Sequence, residues 1–587
     1  MREGLIYTND NCIGCNKCVR ICSSFGASVS KQGPDKTAIR INSDRCIVCG
    51  ACVDVCGHEA RQYLDDTERF FCDLANGEPI SVLVAPAFAA KYPNSYRNML
   101  GTLRRMGVKQ VIPVSLGADI CTWAYIKCMQ DNAESSLIST SCPVVVSYIE
   151  HWMPSLISRL MPVKSPLMCI ATYCREELGI TDRLAFVGPC IAKSLETQRY
   201  PDLVQYNVTF PKLIERLENE ERGDVSDFDD IPYGLGSYYP APGGLADNVR
   251  WLLGDDVSVR VVSGKTYLYE RFERGRHGIF SQGLPYALVD ALNCTEGCIE
   301  GTARLRYESD EVGLAHIQRI RSGSKSTDPD SPWNPNLTPQ ERLERLNAQF
   351  ANLSLDSYRA HFVDQGDLCA VQVPSEEELQ EVFRTLHKTD EPSQQINCSA
   401  CGYETCMEMA VAIHNGFNSR YNCVYFEKEE SIRLTRMSYT DQLTGVLNRN
   451  ALESIGTELY GKGHSLALVV TDVNGLKREN DTKGHGAGDR MIVSTARALA
   501  NCFGCDRVFR TGGDEFLAIL QDHAKNEVEE GIDEVKAHLA TLDISASMGM
   551  AYEEAFSGAF DPLLKLADSR MYEDKARYYK EHGSARG

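Results

Sequence analysis

Arg510-Thr511-Gly512-Gly513-Asp514-Glu515-Phe516 sets two glycines and two carboxylates directly ahead of an apolar run, Phe516 to Leu520. Paired glycines allow a tight hairpin and let a ligand approach the backbone closely. The apolar run reads as a buried strand. A second such run, Leu466 to Thr471, leads into Asp472-Val473-Asn474-Gly475-Leu476-Lys477, and helical sequence separates the two. This alternation predicts an α/β domain.

The whole chain has 587 residues, 43% of them hydrophobic and 24% charged, which suggests several globular domains. A net charge of −20 argues against nucleic-acid binding, since phosphate backbones recruit basic surfaces. No apolar run approaches a membrane span. Met1-Arg2-Glu3-Gly4-Leu5-Ile6-Tyr7 holds no apolar signal core, so the expectation is a cytoplasmic protein with no membrane partner. The chain carries 24 cysteines. In a reducing compartment, clustered cysteines more often bind metal than form disulfides.

Cys12, Cys15, Cys18 and Cys22 follow C-x2-C-x2-C-x3-C, and Cys46, Cys49, Cys52 and Cys56 repeat the pattern. At this spacing three thiolates converge on one cubane cluster while the fourth usually ligates the other. Zinc sites rarely place four cysteines this way. The segment resembles bacterial two-cluster ferredoxins, although Ser23 and Gly57 replace the proline that usually follows the fourth cysteine.

From Ala85-Pro86 to about Gly301 the chain resembles the catalytic domain of iron-only ([FeFe]) hydrogenases. Thr140-Ser141-Cys142-Pro143, Pro189-Cys190 through Lys193 and Glu196, and Cys294-Thr295-Glu296-Gly297-Cys298 with Gly301 are similar to its three motifs, in order. Gly243-Gly244 resembles a glycine pair found between the second and third. The resemblance implies an H-cluster cubane on Cys142, Cys190, Cys294 and Cys298, with Cys298 bridging to a diiron subcluster and Lys193 bonding a diiron ligand. Several positions depart from the family. Ser141 stands where a proton-relaying cysteine is usual, and an alcohol relays poorly. Gly188 and Leu292 replace methionines, and Ala124 and Tyr125 fall where relay glutamates should be. This interrupted path resembles the sensory branch of these hydrogenases, and insertion of the diiron unit would depend on maturation proteins.

Cys398-Ser399-Ala400-Cys401-Gly402-Tyr403, then Cys406 and Cys423, is similar to a small four-cysteine cluster domain that accompanies sensory hydrogenases. A zinc knuckle is the alternative. The remaining eight cysteines carry no assigned role.

Asp441-Gln442-Leu443-Thr444-Gly445, the Asp472 segment with Asn480-Asp481, Gly484-His485 with Gly488-Asp489, and the Gly512-Gly513-Asp514-Glu515-Phe516 run together resemble the GGDEF family of diguanylate cyclases across 439–577. That family joins two GTP into cyclic di-GMP as a homodimer. The resemblance implies Asp514 and Glu515 as catalytic residues. It implies Asp472, the Val473 carbonyl and Asp514 around Mg2+ or Mn2+, since such ions prefer oxygen ligands. Asn480 and Asp489 would read guanine, Lys477 and Lys575 would hold phosphates, and Gly512 and Gly513 would admit the nucleotide. Phe503-Gly504-Cys505-Asp506 lacks the arginine of the family's inhibitory product site, so feedback there should be weak.

The expected organisation is multidomain, α/β and α+β. A two-[4Fe-4S] ferredoxin fold occupies 1–66, an H-cluster α/β domain 67–321, a linker and helical region 322–395, and a small 4Fe-4S domain 396–425. A connecting helix at 426–438 then leads into a palm-like GGDEF domain at 439–587. The expected function is a hydrogen- or redox-sensing cyclase with an unidentified electron partner. The alternatives are a low-turnover hydrogenase whose GGDEF domain only binds nucleotide, or a redox sensor with cubane clusters alone.

Overall fold

The apolar run around Ser81 forms the strand Ile80–Val84, buried along its whole length. It pairs in parallel with Val111–Pro113 and with Arg183–Gly188, and Tyr206–Thr209 completes a four-stranded sheet. A second parallel sheet joins Val259–Ser263, Leu288–Leu292 and Leu137–Ile138. Continuous apolar strands need cover on both faces. Helices such as Ser115–Asp131 and Pro166–Glu176 supply it, closing one large core. Cys142, Cys190 and Cys294 lie on loops just past the C-terminal ends of three of these strands, where parallel α/β sheets place ligands.

These strands belong to the first of two compact units, Met1–Val424 and Tyr425–Gly587. The computed structural model describes residues 4–33, 37–131, 136–276, 286–304, 309–455 and 463–583. Among the described residues no helix is long and apolar enough to cross a membrane.

The cysteine repeat at the front folds as a pseudo-symmetric pair. Ile6–Thr8 and Arg61–Tyr63 run antiparallel and bring its two ends together. Each half turns into a short helix, Lys17–Arg20 or Ala51–Asp54, through a left-handed residue, Asn16 or Gly50.

The segment read by composition as a linker is packed instead. Trp333 is only 4% exposed and its ring lies against Gly234. Pro332 accepts from the Trp251 indole, and Arg342 stacks over that same indole at 3.8 Å. The helix Pro339–Gln349, opened by a Thr338/Glu341 capping box, carries Leu346 into the same core, and Phe350 and Tyr358 follow it there. Serines, aspartates and prolines set the turns of this strap, and one tryptophan anchors it.

The second unit is built on a five-stranded sheet ordered Leu447–Asn448, Val508–Arg510, Glu515–Gln521, Leu466–Val473, Ala546–Glu553. Ala467, Val469 and Val473 face the helices His485–Phe503 and Lys525–Thr541. Leu466, Leu468 and Val470 face the helix Phe560–His582. The helix expected between Phe426 and Met437 spans Val424–Tyr439.

Candidate functional site

In the second unit, Asp472 lies on the strand Leu466–Val473 directly opposite Glu515 of the central strand, in antiparallel register. The Val473 amide donates to the Asp514 carbonyl at 3.1 Å, so the glycine hairpin closes onto the end of the strand Leu466–Val473. Lys575 reaches in from the helix Phe560–His582, with its ammonium 2.6 Å from Asp472 Oδ1. Burial pushes the Asp472 carboxyl up, the Lys575 charge opposes this, and Asp514 adds to the rise. Glu515 is likewise raised, by burial first and then by Asp472, Asp514 and Asp568. Burial disfavours the Lys575 charge, but Asp472 and Asp514 hold its pKa above the ordinary value. Three clustered carboxyl groups around one ammonium suit a divalent cation, which would relieve their mutual repulsion. Asp472 and Asp514 are the carboxylates placed for that role.

The residues expected to face nucleotide come from the next two helices. Asn480 and Lys477 lie on Leu476–Lys483, and Asp489 lies on His485–Phe503. Asn480 Oδ1 is buried without a hydrogen-bond partner. A Cβ on Gly488 would sit 2.1 Å from that oxygen, so only glycine leaves the amide its place. An unpaired buried amide oxygen is costly, and a ligand donor would satisfy it.

Two positioning residues had no assigned role in the sequence. Arg510 donates to both Asp441 oxygens, at 2.9 and 3.1 Å, and to the Gly513 carbonyl at 2.7 Å, which ties the hairpin tip to the entry loop. Burial acts to raise Asp441, but hydrogen bonds from Thr444 and Arg510 outweigh it and leave the carboxyl below its usual range. Asn474 bonds Ser545 and Ser547 and so steadies the turn after Asp472. Phe503 is packed into the core rather than turned to solvent.

In the first unit one small cavity is lined by Cys12, Cys15, Cys18 and Cys56, and another by Cys22, Cys46, Cys49 and Cys52. Each fourth cysteine thus crosses to the other quartet. Arg61, buried in this region, donates to Cys18 Sγ at 3.1 Å. Among the described residues no three His, Cys, Asp or Glu side chains close on a single-ion site. Four cysteines around each cavity, with the fourth supplied by the other repeat, suit a pair of iron–sulfur groups.

Cys142, Cys190, Cys294 and Cys298 also gather. Burial raises the thiols of Cys142, Cys190 and Cys294, and their neighbours in the quartet raise Cys142 and Cys294 further, while Cys298 lies at the exposed side of the group. Such thiols lose their protons when a metal group binds them. Gly301, at φ +71°, lets the third motif close on the second, since a Cβ there would lie 2.3 Å from the Pro189 carbonyl. Thr302 then reaches both the Ile191 amide and Cys190 Sγ. Lys193 is held by Glu196 at 2.7 Å, Ser165 at 3.1 Å and the Ser141 carbonyl at 3.4 Å. The Phe186 ring lies over Gly188, filling space that a side chain there would take. Tyr125 shares its hydroxyl with Thr140 at 2.9 Å and lies 3.5 Å from Ser141 Oγ, and burial pushes its pKa well above 10. Ala124 is in the core.

Cys398, Cys401 and Cys423 lie close enough for their charges to interact, and Cys406 opens the helix Cys406–His414. This segment packs on the ferredoxin-like part. The Asn16 amide donates to Asn422 at 2.7 Å and to the Ala400 carbonyl at 3.1 Å. At the other junction Asn293 donates to the Cys49 carbonyl at 3.1 Å and lies 3.6 Å from Cys294 Sγ.

Comparison with known proteins agrees with this division. Family models match residues 11–60 (4Fe-4S dicluster domain), 78–253 (iron only hydrogenase large subunit, C-terminal domain), 394–425 (Fe-S cluster) and 438–580 (diguanylate cyclase, GGDEF domain). The diguanylate cyclase DgcN of Escherichia coli (strain K12) is 30% identical over 192 residues, covering 29% of this chain and 46% of that protein. The cyclic di-GMP phosphodiesterase PdeB of Shewanella oneidensis is 32% identical over 155 residues, covering 25% of this chain and 18% of that protein. The chain therefore spans less than half the length of these two curated relatives. A solved structure of the [FeFe]-hydrogenase HydA1 from Chlamydomonas reinhardtii aligns with 52% of this chain and all of its own, at 15% identity and a TM-score of 0.37.

Proposed function

We infer, for a chain that carries a GGDEF domain behind dicluster, iron-only hydrogenase and small Fe-S modules, that it is a diguanylate cyclase governed by hydrogen or redox state. The observation that carries the cyclase reading is the meeting of Asp472, Asp514 and Glu515 with Lys575 at the glycine hairpin.

Two GTP condense when the 3′-hydroxyl of each attacks the α-phosphate of the other, so one domain holds one GTP and the working unit is a homodimer. A bound Mg2+ or Mn2+ supplies charge that offsets the triphosphate. Asp514 takes the proton from the attacking hydroxyl, and Glu515 supports it. Lys477 and Lys575 act as point charges on phosphate oxygens. Asn480 offers its unpaired oxygen to the guanine edge, and Asp489 offers a carboxylate. Arg510 keeps the tip in register, which matters because small misplacements at a reacting centre are costly.

In the first unit the four cysteine quartets would hold [4Fe-4S] groups, with a diiron unit beside Cys298 when maturation proteins supply it. Tyr125 and Ser141 are poor proton carriers in a buried setting, which favours sensing over gas turnover. Cys423 immediately precedes the helix Val424–Tyr439, so a change at the last quartet has a short covalent route to the cyclase.

The test is cyclic di-GMP formation from GTP and Mg2+ by anaerobically matured protein. Asp514→Ala should abolish synthesis with iron content unchanged. Wild-type rates from that variant would refute the assignment.

A further inference from the structure

Just after the helix Glu376–Thr385, the chain buries a lysine. Lys388 is 2% exposed, and its ammonium donates to the Ser393 carbonyl and to Cys406 Sγ at 3.5 Å. The turn around it is held on both sides. Its own amide donates to the Phe383 carbonyl, and the preceding His387 is left-handed at φ 58°. Beyond it, the Asp390 side chain accepts from the Ser393 amide, and Gln394 donates to the Lys388 carbonyl. The ammonium is therefore fixed where it lies.

Cys406 meets a second positive feature, because it is the first residue of the helix Cys406–His414. A helix N-terminus favours negative charge. Burying an ammonium is costly unless an anion offsets it. A neutral thiol is a weak acceptor and offers little, whereas a metal-bound thiolate carries the charge.

We propose that Lys388 is the fixed counter-charge of the four-cysteine site Cys398, Cys401, Cys406 and Cys423, stabilising the reduced form of the iron–sulfur group held there. Hydrogen bonds and charge at cluster sulfurs set reduction potential. A positive charge on one ligand favours the more negative, reduced state and so raises the potential. Cations also stand beside the two ferredoxin-like quartets. Arg61 donates to Cys18 in the quartet that meets this site through Asn16 and Asn422, and its charge also acts on Cys52 of the other quartet. Near Cys49 the cation is Lys265, which is already paired with Asp54 and with Glu300 at 2.8 Å. The role of Lys388 deepens the sensing reading above by naming the residue that makes the last quartet an electron acceptor.

The experiment is an EPR-monitored redox titration of full-length protein, reconstituted anaerobically with iron and sulfide and reduced with dithionite. The component missing from Cys423→Ala identifies the site. In Lys388→Met that component should titrate at lower potential, in Lys388→Arg it should stay near wild type, and the other components should not move. An unchanged potential in Lys388→Met with full iron content overturns the proposal, as does an equal shift in Lys388→Arg. If Lys388→Met loses iron from this site, retention in Lys388→Arg supports a need for charge, and loss in both assigns Lys388 to packing and overturns it. The readout uses neither GTP nor hydrogen, so failure of the sensing reading would leave this result standing.

Discussion

Asp119 shows how a single buried group makes stability depend on pH. It is fully buried on the helix Ser115–Asp131, and its two oxygens accept from the Gly234 and Gly236 amides at 2.6 and 2.7 Å. Burial raises its pKa to about 7 although both amides pull it down. An unfolded aspartate titrates near ~3.9. The folded value is the higher one, so the fold favours the protonated form. That contribution is whole below about pH 4, declines as pH rises, and is gone once pH passes about 7. Unfolding midpoints of the first unit, measured across this range, should fall for wild type. Asp119→Asn should flatten that slope, although its amide turns a donor toward one of the two N–H groups. At this scale the cysteines were legible, because their chemistry is carried by the residue type and a short spacing. Arg510 and Lys388 were not, because neither residue's spacing names the Asp441 carboxylate or the Cys406 sulfur it reaches.

Among the elements, the strap from Ser324 to Tyr358 departs furthest from its composition. Turn-forming residues say only that the backbone bends often. Whether the bends lie free or against a core depends on the apolar side chains between them, and here Trp333, Leu346, Phe350 and Tyr358 all enter the core. Removing a buried tryptophan costs about 3–5 kcal/mol. Trp333→Ala should therefore lower the unfolding midpoint of the first unit in a denaturant titration while the transition of the second unit stays in place. A shift below ~0.5 kcal/mol, the range of ordinary surface substitutions, would mean that the strap does not brace the core. The strands were easier to read. Leu466–Val470 is a continuous apolar run and Ile80–Val84 is interrupted only by Ser81, and such runs demand burial on both faces wherever they fold.

For the whole molecule, the division into two compact units predicts separable function. Cys298→Ala removes a thiol from the hydrogenase-like quartet, more than a hundred residues before the GGDEF motifs. This variant should still convert GTP to cyclic di-GMP, and its rate should no longer differ between hydrogen and argon. A hydrogen effect that survives in the variant would route sensing elsewhere. No effect even in matured wild type would favour a redox signal carried by cubane clusters alone. Arg45 illustrates how the first unit holds together. Its guanidinium donates to the carbonyls of Leu368, Cys369 and Ala370 and lies over the Trp152 and Phe417 rings, joining segments from four regions of the chain.

Local spacing alone determined the two repeated cysteine motifs, Cys12 to Cys22 and Cys46 to Cys56, the glycine hairpin with its carboxylates, and the buried strands. Each depends on residues a few positions apart, where chain geometry leaves little choice. Tertiary structure alone decided that the 397–423 segment packs on the ferredoxin-like part through Asn16 and Asn422, that the strap covers a core, and that Lys388 lies against Cys406. The first two join residues up to several hundred positions apart, and the third depends on a turn that folds one side chain inward. Such contacts depend on complementary surfaces that form only when the elements have packed.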